Sequence, residues 1–231
     1  MKPALETQLL AEALGSTILL ATVVGSGIMA WKLADGNAAI ALLGNTIPTG
    51  AILVVLILVF GPVSGAHFNP IVSFAMAMRN RLGRIDLGAY ITAQVLGAIF
   101  GVWLAHAMFD LPVFELSTTV RSSQGQWIAE ATATFGLLLT IFGCLAGAPH
   151  SVPFAVGLYI TAAYWFTAST AFANPSVTIA RSLTDTFAGI AVSSAPAFIV
   201  AQCLGGALAL TMISRLWSDE AAQHHQSGPD V

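Results

Sequence analysis

The chain has 231 residues, of which 56% are hydrophobic and only 8% are charged, and its formal net charge at pH 7 is −3. Soluble domains carry about 25% charged residues, so this composition excludes an ordinary soluble domain and indicates a protein that crosses a membrane several times. The small net charge and the lack of a basic run argue against a nucleic-acid partner.

Six apolar runs follow one another along the chain, each close to the ~20 residues that a helix needs to cross a bilayer core. Helices are favoured over a barrel because a lipid-exposed backbone must satisfy its own hydrogen bonds, and no ten-residue alternating segments occur. The first run is long enough to span, so we predict an uncleaved helix and no signal peptide. The runs are 8–30, 47–66, 87–108, 127–148, 152–168 and 188–214, and a polar tail, 216–231, follows them.

Basic residues indicate the orientation of these helices. If both termini are cytoplasmic, five Lys and Arg residues lie inside and three outside. Positive charge favours the cytoplasmic side most strongly in short loops, and Arg79, Arg81 and Arg84 lie in such a loop. We therefore predict cytoplasmic termini and a cytoplasmic tail.

Two cysteines, Cys144 and Cys203, lie in the fourth and sixth apolar runs. Their spacing is typical of neither a metal site nor a disulfide framework. We interpret both as packed small hydrophobic residues, and we predict no metal site and no cofactor.

The two halves of the chain resemble each other. The segment AYITAQVLGA at 89–98 matches AFIVAQCLGG at 197–206 at six of ten positions. A second pair, LLAEA at 9–13 and WIAEA at 127–131, occurs in the same order. Each half then holds three spans, and because three is odd, the halves must insert with opposite orientations.

This inverted repeat predicts one domain over residues 1–215. It also places Glu12 of the first half at the position of Glu130 in the second. The predicted repeats are 8–108 and 126–214.

Each repeat contains one Asn-Pro segment, SGAHFNPIVSFAM in the first and TAFANPSVTIARS in the second. Asn is a favoured helix N-cap, and Pro is favoured at the first helical position, where its missing N–H would have no partner. Asn69-Pro70 and Asn174-Pro175 therefore predict two helix starts.

The apolar stretches after these starts, 71–78 and 176–183, reach only about half-way across a bilayer at ~1.5 Å per residue. In an inverted repeat, their N-termini meet near the midplane. Two positive helix ends would repel cations there, while the amide nitrogens of Asn69 and Asn174 can donate hydrogen bonds to a neutral solute.

Small residues before each Asn predict extended backbone with carbonyls exposed to a lumen. Such backbone is tolerated at membrane depth only where protein buries it or where it lines water. The predicted lining residues are Gly65, Ala66, His67, Thr170 and Phe172.

On these motifs the chain resembles the aquaporin, or major intrinsic protein, family over about residues 8–214. SGAHFNP closely matches the family's first signature, and ANPSVTIARS is a variant of the second. The resemblance implies an all-α hourglass fold with six transmembrane helices and two re-entrant half-helices. It also implies a homotetramer in the lipid bilayer, with Glu12 and Glu130 supporting the re-entrant loops.

The sequence departs from the family at the filter of the pore. The family usually has Arg three residues after the second Asn, where this chain has Val177, and Arg181, one turn further on, is not expected to replace it. Counted from the motifs as in the family, the other filter positions are Thr49, Ala162 and Ala171. These residues predict a wide, nearly uncharged ring with one hydroxyl.

A ring without Arg would select by size and by the midplane barrier. The expected function is passive passage of glycerol-like polyols, metalloid hydroxides such as arsenous acid, and water. The ring and the Asn-Pro-Ser form are also similar to a bacterial aquaglyceroporin branch from arsenic-resistance operons. This similarity implies a bacterial plasma membrane.

Three alternatives stay open on the sequence. Phe172 or Tyr164 could narrow the filter and make the pore water-selective. A coupled secondary transporter is disfavoured because Glu12 and Glu130 are the only acidic residues well inside spans. An enzyme is disfavoured because His67 and His106 belong to no nucleophile or metal motif.

Overall fold

The structure is a computed structural model that describes residues 3–217. Every regular element in this range is helical. The elements are α1 (Leu5–Leu33), α2 (Ala38–Ser64), α3 (Pro70–Met78), α4 (Leu87–Met108), α5 (Gln124–Gly147), a 3-10 turn (Pro149–Ser151), α6 (Val152–Phe166), α7 (Pro175–Arg181) and α8 (Ala195–Leu216).

Five helices of the described range, α1, α2, α4, α5 and α8, are long and apolar enough to cross a membrane. The sixth predicted run forms α6, which has 15 residues and packs against α2 and α5. With α3 and α7 as two short helices between the long ones, the predicted arrangement of six helices and two half-helices is confirmed.

Helix ends differ from the apolar runs where polar residues and proline intervene. The second helix starts at Ala38 instead of residue 47, because the Asn37 side chain caps it by accepting the N–H groups of Ala39 and Ile40. It then continues through the polar residues that precede the apolar run. The last helix starts at Ala195, so residues 188–194 of the sixth run are loop.

The inverted repeat is visible in the helix pairs, since α1 packs on α4 in the first half and α5 packs on α8 in the second. Both crossings are made close by glycine. A Cβ at Gly97 would lie 2.3 Å from the carbonyl oxygen of Ala13, and one at Gly205 would lie 2.1 Å from that of Ala131. Backbone therefore touches backbone at equivalent places in the two halves.

We expect Gly97→Val to destabilise the fold by about 1–3 kcal/mol, because its side chain has to push α1 away from α4. Gly88→Val on the same helix is the matched control, since a Cβ at Gly88 meets nothing within 4 Å. Thermal unfolding of both variants in detergent measures the difference. Equal midpoints would show that the crossing tolerates a side chain.

The predicted polar tail and the two cysteines differ in how much of them the structure describes. Of the predicted tail, 216–231, only Leu216, which ends α8, and Trp217 lie within the described residues. Of the two cysteines expected to be packed, Cys144 is half-buried but Cys203 is exposed on α8. The expectation that Cys203 is packed is therefore wrong, because an apolar run does not reveal which of its faces meets lipid.

Candidate functional site

The two short helices begin at the Asn-Pro pairs. Asn69 and Asn174 take extended backbone angles, and each side-chain oxygen accepts the N–H of the residue two positions later, at 2.9 Å in the first helix and 3.0 Å in the second. The proline then occupies the first helical position of α3 and α7. Local chemistry is thus sufficient to start both helices.

The same two asparagines tie the halves of the molecule together. The Asn69 amide nitrogen donates to the carbonyl oxygen of Ala173 at 2.8 Å, and the Asn174 amide nitrogen donates to that of Phe68 at 2.8 Å. An amide nitrogen carries two protons. One proton of each Asn is therefore committed to the opposite loop, and one is left for a solute.

The loops before the asparagines are not simply extended, as the small residues had suggested. They contain left-handed residues at equivalent positions of the two halves, and most of these are not glycine. A non-glycine residue there costs about 1–3 kcal/mol and persists only where its surroundings hold it. The equivalent pairs, with φ between 48° and 93°, are Gly65 and Thr170, Ala66 and Ala171, and Phe68 and Ala173.

In the first half, Glu12 holds this loop. The fully buried carboxylate accepts the backbone N–H of His67 at 3.0 Å and that of Phe68 at 2.7 Å, and it also accepts the Ser64 hydroxyl at 2.6 Å. Its position between a spanning helix and the loop matches the supporting role that the family resemblance implies.

Glu130 makes the equivalent contacts in the second half. It accepts the N–H groups of Phe172 at 2.8 Å and Ala173 at 2.9 Å. The sequence analysis missed its partner Gln202, whose amide donates to Glu130 at 2.6 Å and to the Thr178 hydroxyl at 2.9 Å. The signal was present, because Gln202 is one of the six matched positions of the repeated segment.

Gln94 repeats this arrangement in the first half. Its amide donates to Glu12 at 2.8 Å and to the Ser73 hydroxyl at 2.8 Å. Each short helix is thereby fastened to a long helix through the Ser or Thr four residues after its Asn.

A cavity of about 130 Å³ passes between the two Asn-Pro segments and is lined by Asn69 and Asn174. Its remaining wall is largely aliphatic, with residues from α1, α2, α3, α5, α6 and α7. Most of the residues predicted to line the pore or form its filter border this cavity. They are Gly65, Ala66, His67, Phe172, Thr49, Ala171 and Val177.

Two predicted residues do not line the cavity. Ala162 is exposed on the far side of α6, whereas Val156, Ile160 and Tyr164 of the same helix face the cavity. Since a helix turns 100° per residue, position 162 lies about opposite position 160. Thr170 is not among the residues that line the cavity, and its N–H donates to the carbonyl oxygen of Thr167 at 3.2 Å.

One end of the cavity carries its larger polar groups, and we call it the outer end because the predicted orientation, with cytoplasmic termini, would place it outside. The hydroxyl oxygens of Thr49 and Tyr164 lie 3.5 Å apart there, and Arg181 borders the same space. Tyr164, Phe172 and Arg181 thus border the same cavity as the predicted filter residues Thr49, Ala171 and Val177.

Arg181, which the sequence does not lead us to expect in place of the missing Arg at position 177, also borders the cavity. It lies four residues after Val177 on α7, and residues four apart share one face of a helix. Its guanidinium carbon lies 3.4 Å from the centroid of the Phe172 ring, and its Nε donates to the carbonyl oxygen of Ala188. Sequence spacing had indicated the shared face but not that the side chain would reach the cavity.

A second guanidinium, that of Arg121, lies near the Phe172 ring. Arg121, in the α4–α5 connection, has its guanidinium carbon 5.4 Å from the Phe172 centroid and donates from Nε to the carbonyl oxygen of Gly189 at 2.9 Å. Burial lowers the pKa of the Arg121 guanidinium, and the carboxylate of Glu130 opposes this shift. Arginine is nevertheless protonated at neutral pH, so the outer end is positively charged.

The model of the major intrinsic protein family matches residues 1–151 and 145–229. The aquaglyceroporin AqpS of Rhizobium meliloti is 52% identical over 221 residues, which cover 96% of this chain and 94% of that protein. Aquaporin Z of Rhodopseudomonas palustris is 32% identical over 216 residues, 86% of this chain and 88% of that protein.

Among solved structures, the X-ray structure of the aquaglyceroporin from Plasmodium falciparum is similar with a TM-score of 0.73. The match covers 96% of this chain and 100% of that chain at 21% identity. At this identity the likeness concerns the fold.

Proposed function

The chain belongs to the major intrinsic protein family, and from this premise we propose that it is a passive channel for small neutral solutes of the glycerol type. Members of this family are multi-pass membrane channels and not enzymes. The relative at 52% identity is named an aquaglyceroporin, which supports polyols as the solute class.

The observation that carries the proposal is the combination of polar groups and aliphatic side chains that line the outer end of the cavity. Thr49, Tyr164 and Arg181 supply hydroxyl and guanidinium groups there, while aliphatic side chains such as Val177 and Ile160 border the same space. A polyol has a carbon backbone and a row of hydroxyls. Such a solute can give up its water because its hydroxyls meet donors and acceptors and its carbons meet apolar wall.

Metalloid hydroxides and water belong to the same proposal. Arsenous acid is neutral at pH 7 and carries three hydroxyls, so the groups that bind a polyol suit it as well. The midplane donors of Asn69 and Asn174 serve any of these solutes. We propose these two asparagines, together with Pro70 and Pro175, which start the half-helices, as the midplane site.

A water-selective channel is the second candidate, and one observation favours it. Tyr164 and Phe172 both border the cavity, so the filter is narrower than a ring of Thr49, Ala171 and Val177 alone. A coupled transporter is less consistent with the cavity, because no Asp or Glu within residues 3–217 lines it and such proteins place ionisable residues at their ion sites.

We also propose the remaining organisation implied by the family. The channel domain would cover residues 1–215 with repeats over 8–108 and 126–214, both termini would be cytoplasmic, and four copies would assemble in the plasma membrane of a bacterium. Exposed apolar side chains such as Leu158 and Leu208 would then contact lipid or a neighbouring copy.

Flux into proteoliposomes tests the function. We expect glycerol and arsenous acid to enter faster than into protein-free vesicles, with rates proportional to the gradient and without saturation. Water flux alone would support the second candidate. Saturable uptake that responds to a proton or sodium gradient would support a transporter and contradict the proposal.

A further inference from the structure

We propose that Arg181 is the specificity-determining cation of this pore, one helical turn further out than position 177, and that it both repels cations and donates hydrogen bonds to solute hydroxyls. The proposal rests on the channel function above but assigns the selection to a residue that the family pattern does not predict.

The Arg181 side chain is buried in the wall of the cavity. It is 2% exposed, yet it is part of the cavity wall together with Thr49 and Tyr164. Arginine is almost never fully buried unless it is paired. The groups that contact this buried guanidinium therefore have to account for its burial.

The partners of Arg181 leave most of its N–H donors without an acceptor in the described part of the protein. Nε donates to Ala188, but no described residue accepts a hydrogen bond from either terminal nitrogen of Arg181, and no carboxylate within residues 3–217 forms an ion pair with it. Neither terminal nitrogen is a fully enclosed atom without a partner. A guanidinium has five N–H donors, so we infer that the remaining four serve the cavity.

The guanidinium plane has rigid support. The guanidinium carbon lies over the Phe172 ring, 3.4 Å from its centroid, and that ring packs edge-on against Phe198 with centroids 5.3 Å apart. The Phe172 backbone is held in turn by Glu130. The Phe172 ring holds one face of the guanidinium, and the hydrogen bond from Nε to Ala188 holds one of its edges. The terminal nitrogens are left to bind solute.

Charges near Arg181 also contribute to the field at the outer end. Arg121 adds a second positive charge near the same ring, at 5.4 Å. The carboxylate of Glu130 lies in the same region, where it accepts the loop N–H groups of Phe172 and Ala173, and its single negative charge can offset only one of the two positive charges. A cation that enters the cavity thus meets net positive charge in a medium of low polarity, which is an effective barrier.

The test compares Arg181→Met with the wild type and with Arg181→Lys in proteoliposomes. Two readouts are used: the ratio of glycerol to 1,2-propanediol permeability, and the entry of methylammonium. We expect the ratio of glycerol to 1,2-propanediol permeability to fall about tenfold in Arg181→Met, which corresponds to the loss of one hydrogen bond to a charged group. We also expect measurable entry of methylammonium through this variant. Arg181→Lys keeps the charge but loses the planar fork, so it should exclude methylammonium and still lose the preference.

A folded Arg181→Met protein with an unchanged ratio and no methylammonium entry would overturn the proposal. If Arg181→Met does not fold, Arg181→Lys decides by itself, because an unchanged permeability ratio in that variant would show that the guanidinium does not bind solute. A wild-type protein that passes water but neither polyol would refute the glycerol function, while methylammonium entry through Arg181→Met would still report on the charge barrier.

Discussion

Glu130→Ala is expected to prevent the protein from reaching its folded state. Three buried donors lose their acceptor in this variant, the N–H groups of Phe172 and Ala173 and the amide of Gln202. Each buried donor left without a partner costs about 1–3 kcal/mol. The sum is comparable to the ~5–15 kcal/mol by which folded domains are stable.

The left-handed residues of the loop add to this effect. Thr170, Ala171 and Ala173 have positive φ angles, and Glu130 is the group that holds two neighbouring N–H groups in place. Without it, the loop can relax to ordinary backbone angles and move α7 away from the cavity.

The measurement is the yield of monodisperse protein in detergent together with its thermal unfolding midpoint. Glu6→Ala is the matched control, because Glu6 is an exposed acidic residue in the first turn of α1. Glu130→Gln keeps one acceptor oxygen and should fall between the two. A Glu130→Ala protein as stable as Glu6→Ala would contradict the supporting role.

Val177→Arg is expected to abolish glycerol flux while leaving a folded protein. The new side chain would enter a cavity of about 130 Å³ from the face that already carries Arg181. Two guanidinium groups one turn apart repel each other, and the described part of the chain places no free carboxylate beside them. Arg at 177 should therefore both fill the cavity and raise its positive charge.

Val177→Leu is the matched control for size, since it adds volume without charge. We expect glycerol permeability to fall at least about tenfold in Val177→Arg, as for a barrier raised by ~1.4 kcal/mol or more, and to fall much less in Val177→Leu. Both proteins should elute as the wild type in size-exclusion chromatography. Glycerol flux through Val177→Arg at the wild-type rate would show that position 177 does not face the solute path.

Much of the site could be predicted because its chemistry is local or repeated. Asn69 and Asn174 start their helices through bonds to residues two positions away, which any chain with this dipeptide can form. Glu12 and Glu130 were recognised because the repeat placed them in equivalent positions, and the structure brings both to the loops they were expected to hold.

The errors concern the directions of side chains. Ala162 was assigned to the filter by counting from Asn174, yet it faces away from the cavity while Tyr164 faces it. Counting assumes that α6 has the same rotation and length as in related proteins. The sequence offers no check on this, because the hydroxyl-bearing residues of α6, which are Tyr159, Thr161 and Tyr164, do not lie along one stripe that would mark the face toward the cavity.

The amino-acid sequence is sufficient to predict a helical membrane protein with an inverted repeat and two capped half-helices, because composition, apolar runs and caps can be recognised within short segments of the chain. The tertiary structure alone decided which side chains surround the cavity. Arg181 shows the reason: its place depends on the ring of Phe172 and the carbonyl oxygen of Ala188, and their positions follow from the packing of α7, α8 and the loops between them.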